Sequence, residues 1–202
     1  MSTLREIYTA RYERALVIAA VQIEQDLREY LSGTNHIDRI YARAKSIDRF
    51  LQKAGKIENG NKKYDDPINQ IQDQIGARII TFYLEDVEKI SKVIQRYYIP
   101  IEKQKIYPDS EKEFGYEGDH FILLIPSDIK SNDSTKRYLP NVFELQIKTL
   151  FQHAFSEASH DLAYKPDINL SKDQKRKVAF TAAQSWGADL IFKELQKELL
   201  IS

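Results

Sequence analysis

The residues from Asn141 to Thr149 (NVFELQIKT) combine side chains that could do chemistry with a regular spacing. Apolar and polar residues alternate with a period of two, which predicts a β-strand with two different faces. The polar face carries a carboxylate, an amide and an ammonium: Glu144, Gln146 and Lys148. Such a face suits the floor of a cleft that holds a metal ion and a phosphorylated ligand. The alternative is a solvent-facing edge strand.

Two other segments carry groups that could bind a polyphosphate. Arg43-Ala44-Lys45-Ser46 lies at a predicted strand-to-helix junction, where free backbone amides favour anions. Asp73 precedes Gly76 and a β-rich segment, and Arg78 is an early residue of that strand. The alternatives are a basic surface turn capped by Ser46, and an exposed Asp73 in a helix with Arg78 in a surface ion pair.

A loop and a helix supply the remaining candidates. The loop Phe114–His120 places Tyr116 between two glycines and His120 at the mouth of an apolar strand; a plain hairpin connection is the alternative. Four polar residues share one face of the predicted helix: His153, Glu157, His160 and Asp161. The two histidines are two turns apart, which disfavours a zinc site. The His160-Asp161 pair also suggests an HD-type phosphohydrolase, but the further histidines and acids on other helices are missing.

The composition restricts the possible functions. The chain has 202 residues, 42% of them hydrophobic, and a formal net charge of zero, so a phosphate-binding surface has to be local. There are no cysteines, which excludes disulfides and thiolate chemistry. We expect a cytoplasmic protein without a signal peptide or a membrane span.

The elements that position these residues form an α+β pattern. Five strands are predicted, at about 36–44, 77–83, 99–106, 121–125 and 141–149. Helices are predicted at 3–31, 47–54, 68–75, 85–98, 150–164 and 171–200, with loops at 55–66, 107–118 and 127–140. The run 121–125 is apolar enough for a strand buried on both faces. We therefore expect one mixed sheet of about five strands flanked by helices, in a single domain (1–202) with a core at about 36–166.

Taken in order, five stretches resemble the synthetase domain of RelA/SpoT-type (p)ppGpp synthetases, in particular the small single-domain alarmone synthetases. They are RAKS (43–46), DQIGARII (73–80), GYEGDH (115–120), ELQIKT (144–149) and HAFSEASHDLAYK (153–165). The resemblance implies a nucleotidyltransferase-like fold without a hydrolase half. It also implies an enzyme that transfers the β,γ-diphosphate of ATP to the ribose 3′-hydroxyl of GDP or GTP.

The resemblance further assigns roles to residues. Asp73 and Glu144 match the family's Mg²⁺ ligands, and Glu144 also matches the base that accepts the hydroxyl proton. The residues that match the ATP site are Arg43 and Arg78, which flank adenine, and Lys45 and Ser46, which hold phosphates. The residues that match the acceptor site are Tyr116, which stacks on the base, and His120, Gln146 and Lys148.

Two departures and two alternative functions accompany this interpretation. Lys148 stands where many members have arginine, and Asp119 puts an acid beside His120, which weighs against an acceptor with a 5′-polyphosphate. Some small relatives are toxins that pyrophosphorylate the CCA end of tRNA and have an antitoxin partner. Here the candidate tRNA contacts are two basic runs, with Lys53, Lys56, Lys62 and Lys63 in one and Lys172, Lys175, Arg176 and Lys177 in the other. A catalytically silent nucleotide-binding module is a third possibility, and the terminal helices could support a homo-oligomer.

Overall fold

The computed structural model of the protein describes residues 3–105, 118–129, 136–163 and 170–200. The helices are α1 (Leu4–Arg11), α2 (Val17–Tyr30), α3 (Ile47–Ala54), α4 (Pro67–Gln70), α5 (Leu84–Tyr97), α6 (Leu150–Ala163) and α7 (Lys172–Leu200). The strands are β1 (Ile37–Ala44), β2 (Ile57–Glu58), β3 (Asn61–Lys62), β4 (Ile75–Thr81), β5 (Pro100–Lys105), β6 (Asp119–Leu124) and β7 (Val142–Thr149).

Five strands form one mixed sheet in the order β1-β4-β7-β6-β5. β4 and β7 are parallel, and the other neighbours are antiparallel. The predicted α+β fold with a mixed sheet of five strands is therefore confirmed. β7 has a partner on each side, which excludes the alternative of an edge strand.

The alternation of residues in β7 separates a packed face from an open one. Phe143, Leu145 and Ile147 are fully buried in the main hydrophobic core. Residues of α2 and α5 belong to the same core, for example Leu27 and Ile90. Because these helices cover the apolar face, the opposite face of the sheet is left for a cleft.

The N-terminal helical segment begins at a capping box. Thr3 accepts a hydrogen bond from the backbone of Glu6, and the Glu6 carboxylate accepts one from the backbone of Thr3. A short π-helical turn, Tyr12–Leu16, joins α1 to α2. Tyr8 of α1 is fully buried and stacks on Phe50 of α3, with ring centroids 3.6 Å apart. The predicted helix from 3 to 31 is thus interrupted only by this turn.

The structure corrects three predicted elements. The helix expected at 68–75 ends at Gln70, and a single 3₁₀ turn, Gln72–Gln74, follows it. The expected loop at 55–66 contains the small β2–β3 hairpin. The run 121–125 is not buried on both faces, because β6 alternates between buried and partly exposed residues.

The C-terminal helix is anchored to the sheet. The predicted capping box of Ser171 and Gln174 is confirmed, with both hydrogen bonds formed. Thr149, the last residue of β7, donates a hydrogen bond of 2.6 Å to the carboxylate of Asp189 in α7, and both residues are buried. Among the described helices, none combines the length and hydrophobicity needed to cross a membrane.

Candidate active site

A cleft of about 770 Å³ opens on the polar face of the sheet. It lies between the β1–α3 junction, strands β4 and β7, the start of β6, and helix α6. It is lined by every predicted site residue that the structure describes: Arg43, Lys45, Ser46, Asp73, Arg78, His120, Glu144, Gln146 and Lys148. Tyr116 lies outside the described residues.

Strand register explains how residues distant in sequence meet in this cleft. One row across the sheet runs through Arg43 of β1, Gly76 of β4 and Glu144 of β7. A second row, two residues along each strand, consists of Tyr41, Arg78, Gln146 and His120. Since positions two apart on a strand share a face, both rows line the same cleft.

Asp73 is held in a kink immediately before β4. Its backbone (φ −89°, ψ 32°) departs from helical geometry. The buried side chain of Gln74 donates to the carbonyl oxygens of Ile68 and Ile71, which closes a turn in place of the expected helix. Asp73 therefore projects from a fixed turn into the cleft.

Two lysines bind one oxygen of Asp73 and leave the other available. The ammonium groups of Lys45 and Lys53 both lie 2.9 Å from Oδ2. Oδ1 is buried and has no hydrogen-bond partner among the described residues. Burial alone would lower the pKa of Lys53, but the Asp73 carboxylate outweighs it and raises that pKa. The two ammonium groups thus share one oxygen of a carboxylate whose other oxygen is unused.

Glu144 is an ionised carboxylate in the floor of the cleft. The amide of Gln146 donates to Glu144 Oε1 at 3.0 Å, and His120 Nδ1 lies 3.3 Å from the same oxygen. Burial would raise the pKa of Glu144, but these hydrogen bonds, the charge of His120 and that of Lys53 lower it to about 2. The side chain therefore carries a negative charge throughout the physiological pH range.

Asp73 and Glu144 suit a hard divalent cation. Mg²⁺ prefers oxygen ligands and is commonly held by one or two carboxylates together with phosphate oxygens of a substrate. Within the described ranges, no group of three or more histidines and acids could hold a metal by itself. A Mg²⁺ ion held by these two carboxylates stays a prediction, in which phosphate oxygens of a nucleotide would complete the ligand set.

Arg78 is fixed against α6 and β1. Its Nη1 lies 2.6 Å from the Glu157 carboxylate and 3.2 Å from His153 Nδ1, and its guanidinium lies over the ring of Tyr41. Burial and the charge of Arg78 lower the pKa of His153. The neutral imidazole can then accept a hydrogen bond from the guanidinium through Nδ1. The guanidinium plane is thus held at the cleft wall.

Ser46 stands at the N-cap position of α3, but its side chain makes no capping hydrogen bond. The sequence alternative of an ordinary cap is therefore wrong for the hydroxyl. Lys148 is almost completely buried at the bottom of the cleft, and its ammonium donates to Ser156 Oγ at 3.1 Å. Both residues line the cleft.

Asp119 does not line the cleft. It is buried, accepts a hydrogen bond from Ser91 of α5, and lies 3.4 Å from the ammonium of Lys103. Because β6 alternates, Asp119 and His120 point to opposite faces of the sheet. The unfavourable anion beside His120 that the sequence suggested is therefore directed away from the site.

Known proteins share the sequence pattern and the fold of this chain. Residues 42–169 match a family described as a region found in RelA / SpoT proteins. The chain belongs to the RelA/SpoT family. It is 24% identical over 200 residues to the GTP pyrophosphokinase YjbM of Bacillus subtilis (strain 168), covering 96% of this chain and 89% of that protein.

Two solved structures share the fold. The small alarmone synthetase 1 from Bacillus subtilis matches with a TM-score of 0.77 and 20% identity, covering 98% of each chain. The same synthetase bound to its product pppGpp matches with a TM-score of 0.72 and 20% identity, over 96% of this chain and 97% of that one. The expected resemblance to small alarmone synthetases is thus confirmed for the fold.

Several residues that line the cleft of this RelA/SpoT protein were not among the predicted site residues. Lys53 was named only as a candidate tRNA contact, and the structure shows that its ammonium binds Asp73. Arg49 also lines the cleft, and the spacing of Arg49 and Lys53, four apart on one helix, was the available signal. Tyr41 could have been found as the residue two before Arg43 on the same strand face.

Gly118 allows a close approach between two strands of the cleft. It is buried, and a Cβ atom there would collide with the backbone of Ile147 and the side chain of Lys148. The absence of a side chain lets the start of β6 approach β7 closely. The glycine therefore helps to bring His120 next to Glu144.

Proposed function

We propose that this protein is a nucleotide pyrophosphokinase that transfers the β,γ-diphosphate of ATP to the ribose 3′-hydroxyl of GDP or GTP. The products are AMP and (p)ppGpp. The observation that carries the proposal is the pair of carboxylates in one cleft: Asp73, with an unused buried oxygen, and Glu144, ionised on the neighbouring strand. Cations on the surrounding elements suit the binding of a triphosphate beside this pair.

The ATP end of the cleft is assigned to the β1–α3 junction and β4. Although the net charge of the chain is zero, seven lysines and arginines of the described residues line the cleft: Arg43, Lys45, Arg49, Lys53, Lys56, Arg78 and Lys148. In such a partly walled site a charge pair at about 4 Å is worth about 4 kcal/mol, against about 1 kcal/mol in water. Arg43 and Arg78 would flank adenine, and Lys45 with Ser46 would hold phosphate oxygens.

The acceptor end is assigned to β6 and β7. The Oε1 atom of Gln146 is buried and has no hydrogen-bond partner among the described residues, so it can accept a hydrogen bond from a ligand hydroxyl. Lys148 supplies a buried positive charge, and His120 borders the same space. Tyr116 would stack on the acceptor base.

The chain's own groups account for the transfer step. The 3′-hydroxyl oxygen forms a bond to the β-phosphorus of ATP, the bond from that phosphorus to the α,β-bridging oxygen breaks, and AMP leaves. The hydroxyl proton passes to the Glu144 carboxylate. With a pKa of about 2 this carboxylate is a weak base, which is sufficient because phosphoryl transfer depends mainly on positioning and charge neutralisation. Mg²⁺ held by Asp73 and Glu144 would supply neutralisation of the phosphate charge.

The test is an acceptor assay with the purified protein, Mg²⁺ and ATP labelled in the β-phosphate. We expect label on GDP and GTP, with release of unlabelled AMP. Label on deacylated tRNA alone would replace the proposed acceptor with the toxin alternative. Label on no acceptor would support the silent nucleotide-binding module.

A further inference from the structure

The first helix of the chain reaches the catalytic cleft from behind. The hydroxyl of Tyr8 donates a hydrogen bond of 2.8 Å to the backbone carbonyl of Lys45. The backbone amide of Lys45 in turn donates to the carbonyl of Gln74 at 2.8 Å. Tyr8 thus supports the cleft lysine from the side opposite its ammonium group.

Arg11, one turn further along, supports the other half of the same structure. Its Nη1 donates to the side-chain oxygen of Gln74 at 3.0 Å and to the carbonyl of Ile68 at 2.9 Å. Gln74 is the residue that closes the turn carrying Asp73. Arg11 is 9% exposed and Gln74 is 1% exposed, so these hydrogen bonds are shielded from water.

From this network we infer that Tyr8 and Arg11 are positioning residues for the transfer reaction, acting through Lys45 and Asp73. The inference rests on the proposed function. The two helix residues fix the backbone on either side of the cleft floor, where Lys45 Nζ meets Asp73 Oδ2 at 2.9 Å. Both lie outside residues 42–169, the part that matches the family. The N-terminal helix therefore supplies geometry that the family region does not contain.

Neither residue lines the cleft, so neither would touch a nucleotide. Their effect would come from the position of the Asp73 carboxylate and the Lys45 ammonium. Displacements of about 1 Å at a reacting centre can cost about 100-fold in rate. The consequence would be a slower transfer step and a greater requirement for Mg²⁺, with the protein still folded.

The substitution Tyr8→Phe tests this with little disturbance, because it keeps the ring that stacks on Phe50 and removes only the hydroxyl. Tyr98→Phe is a matched control. Tyr98 is 3% exposed and also packs against a phenylalanine, Phe143, but its hydroxyl has no hydrogen-bond partner among the described residues. Arg11→Lys is a second variant, since a lysine keeps the charge but loses the planar arrangement of donors that serves two acceptors.

The measurements are kcat, the Mg²⁺ concentration for half-maximal rate, the Kd of a non-hydrolysable ATP analogue with and without Mg²⁺, and the melting temperature. For Tyr8→Phe and Arg11→Lys we expect kcat to fall about tenfold or more. We also expect analogue binding to lose most of its enhancement by Mg²⁺, while Tyr98→Phe stays within about twofold of the wild type.

A lower melting temperature in Tyr8→Phe with unchanged kcat and Mg²⁺ dependence would overturn the inference, as would an equal loss in Tyr98→Phe. The binding measurement separates this inference from the proposed function. If the wild-type protein binds the analogue but transfers nothing, the proposed function fails. In that case, the effect of Tyr8→Phe on the Mg²⁺-dependent binding of the ATP analogue would still test whether Tyr8 positions Lys45 and Asp73.

Discussion

The guanidinium of Arg78 lies 2.6 Å from the carboxylate of Glu157, in an ion pair that joins β4 to α6 at the wall of the cleft. The two side chains differ in exposure, at 14% for Arg78 and 56% for Glu157. An ion pair with so exposed a partner adds little to stability. We infer that its main effect is to orient the guanidinium, which also lies over the ring of Tyr41.

Removal of the Glu157 charge should therefore weaken ATP binding more than it destabilises the fold. For Glu157→Gln we expect the KM for ATP to rise about fivefold, equivalent to about 1 kcal/mol, with little change in melting temperature. Glu58→Gln is the matched control, since Glu58 is 61% exposed and pairs with Lys63 on the β2–β3 hairpin. An unchanged KM for ATP in Glu157→Gln would show that Arg78 needs no such orientation.

Glu144→Gln should abolish transfer while retaining binding of a non-hydrolysable ATP analogue, because the amide removes the negative charge but keeps the shape. The folded-state pKa of Glu144, about 2, lies below its ordinary value of 4.5, so the ionised form stabilises the fold. This contribution is complete above about pH 4.5 and is lost as the pH falls towards 2. We expect the stability difference between wild type and Glu144→Gln to be constant from pH 5 to 8 and to shrink in that acid range.

Acid titration of unfolding by circular dichroism measures this difference. The same pKa means that protonation of Glu144 cannot produce an acid limb in the rate profile near pH 4.5. A stability difference between the wild type and Glu144→Gln that stayed constant from pH 5 down to pH 2 would contradict the hydrogen bonding of Glu144 seen in the structure. Full activity in Glu144→Gln would remove its assigned role.

Asp73→Asn should have opposite effects on Mg²⁺-dependent transfer and on nucleotide binding without Mg²⁺. We expect Mg²⁺-dependent transfer to fall about 100-fold or more, because a metal ligand is lost. Binding of the ATP analogue without Mg²⁺ should be equal or tighter, since Lys45 and Lys53 are then released from a competing carboxylate. Asp48→Asn serves as the control, as that side chain is 86% exposed and pairs with Arg5. Weaker binding of the ATP analogue to Asp73→Asn in the absence of Mg²⁺ would contradict this prediction.

Asp119→Asn tests the orientation of an acid that the sequence placed next to the acceptor site. Since Asp119 is buried against Ser91 and Lys103, we expect a loss of about 1 kcal/mol in the free energy of unfolding. The KM values for GDP and GTP should stay within about twofold of the wild type. A large decrease in either KM would show that the carboxylate acts on the acceptor phosphates.

The sequence predicted the elements with a clear period and missed those set by side-chain hydrogen bonds. The alternation in 141–149 located β7 and its polar face, and helix α3 was predicted with its observed bounds, 47–54. The turn of Asp73 was wrongly assigned to a helix, because the Gln74 contacts that close it reach back to Ile68 and Ile71. The helix and turn propensities of the individual residues do not predict such contacts.

The site was predicted as a set of residues, but its internal contacts were not. Spacing and resemblance identified Asp73 and Glu144, and the structure places both in one cleft. The partners of these residues depend on how helices α3 and α6 pack against the sheet, which a single sequence does not reveal. For example, Lys53 forms an ion pair with Asp73, and Glu157 forms one with Arg78. The Mg²⁺ ion, an antitoxin partner, a tRNA acceptor and a homo-oligomer stay predictions.

The parallel pairing of β4 with β7 also affects the order of events during synthesis. Glu144 stands beside Gly76 in the sheet although 67 residues separate them in the chain, and the central strand is the last of the five to be made. Contacts between such distant segments form late in folding. A nascent chain that has not yet released β7 from the ribosome therefore lacks half of its carboxylate pair, and under the proposed function it would transfer no diphosphate before the sheet is closed.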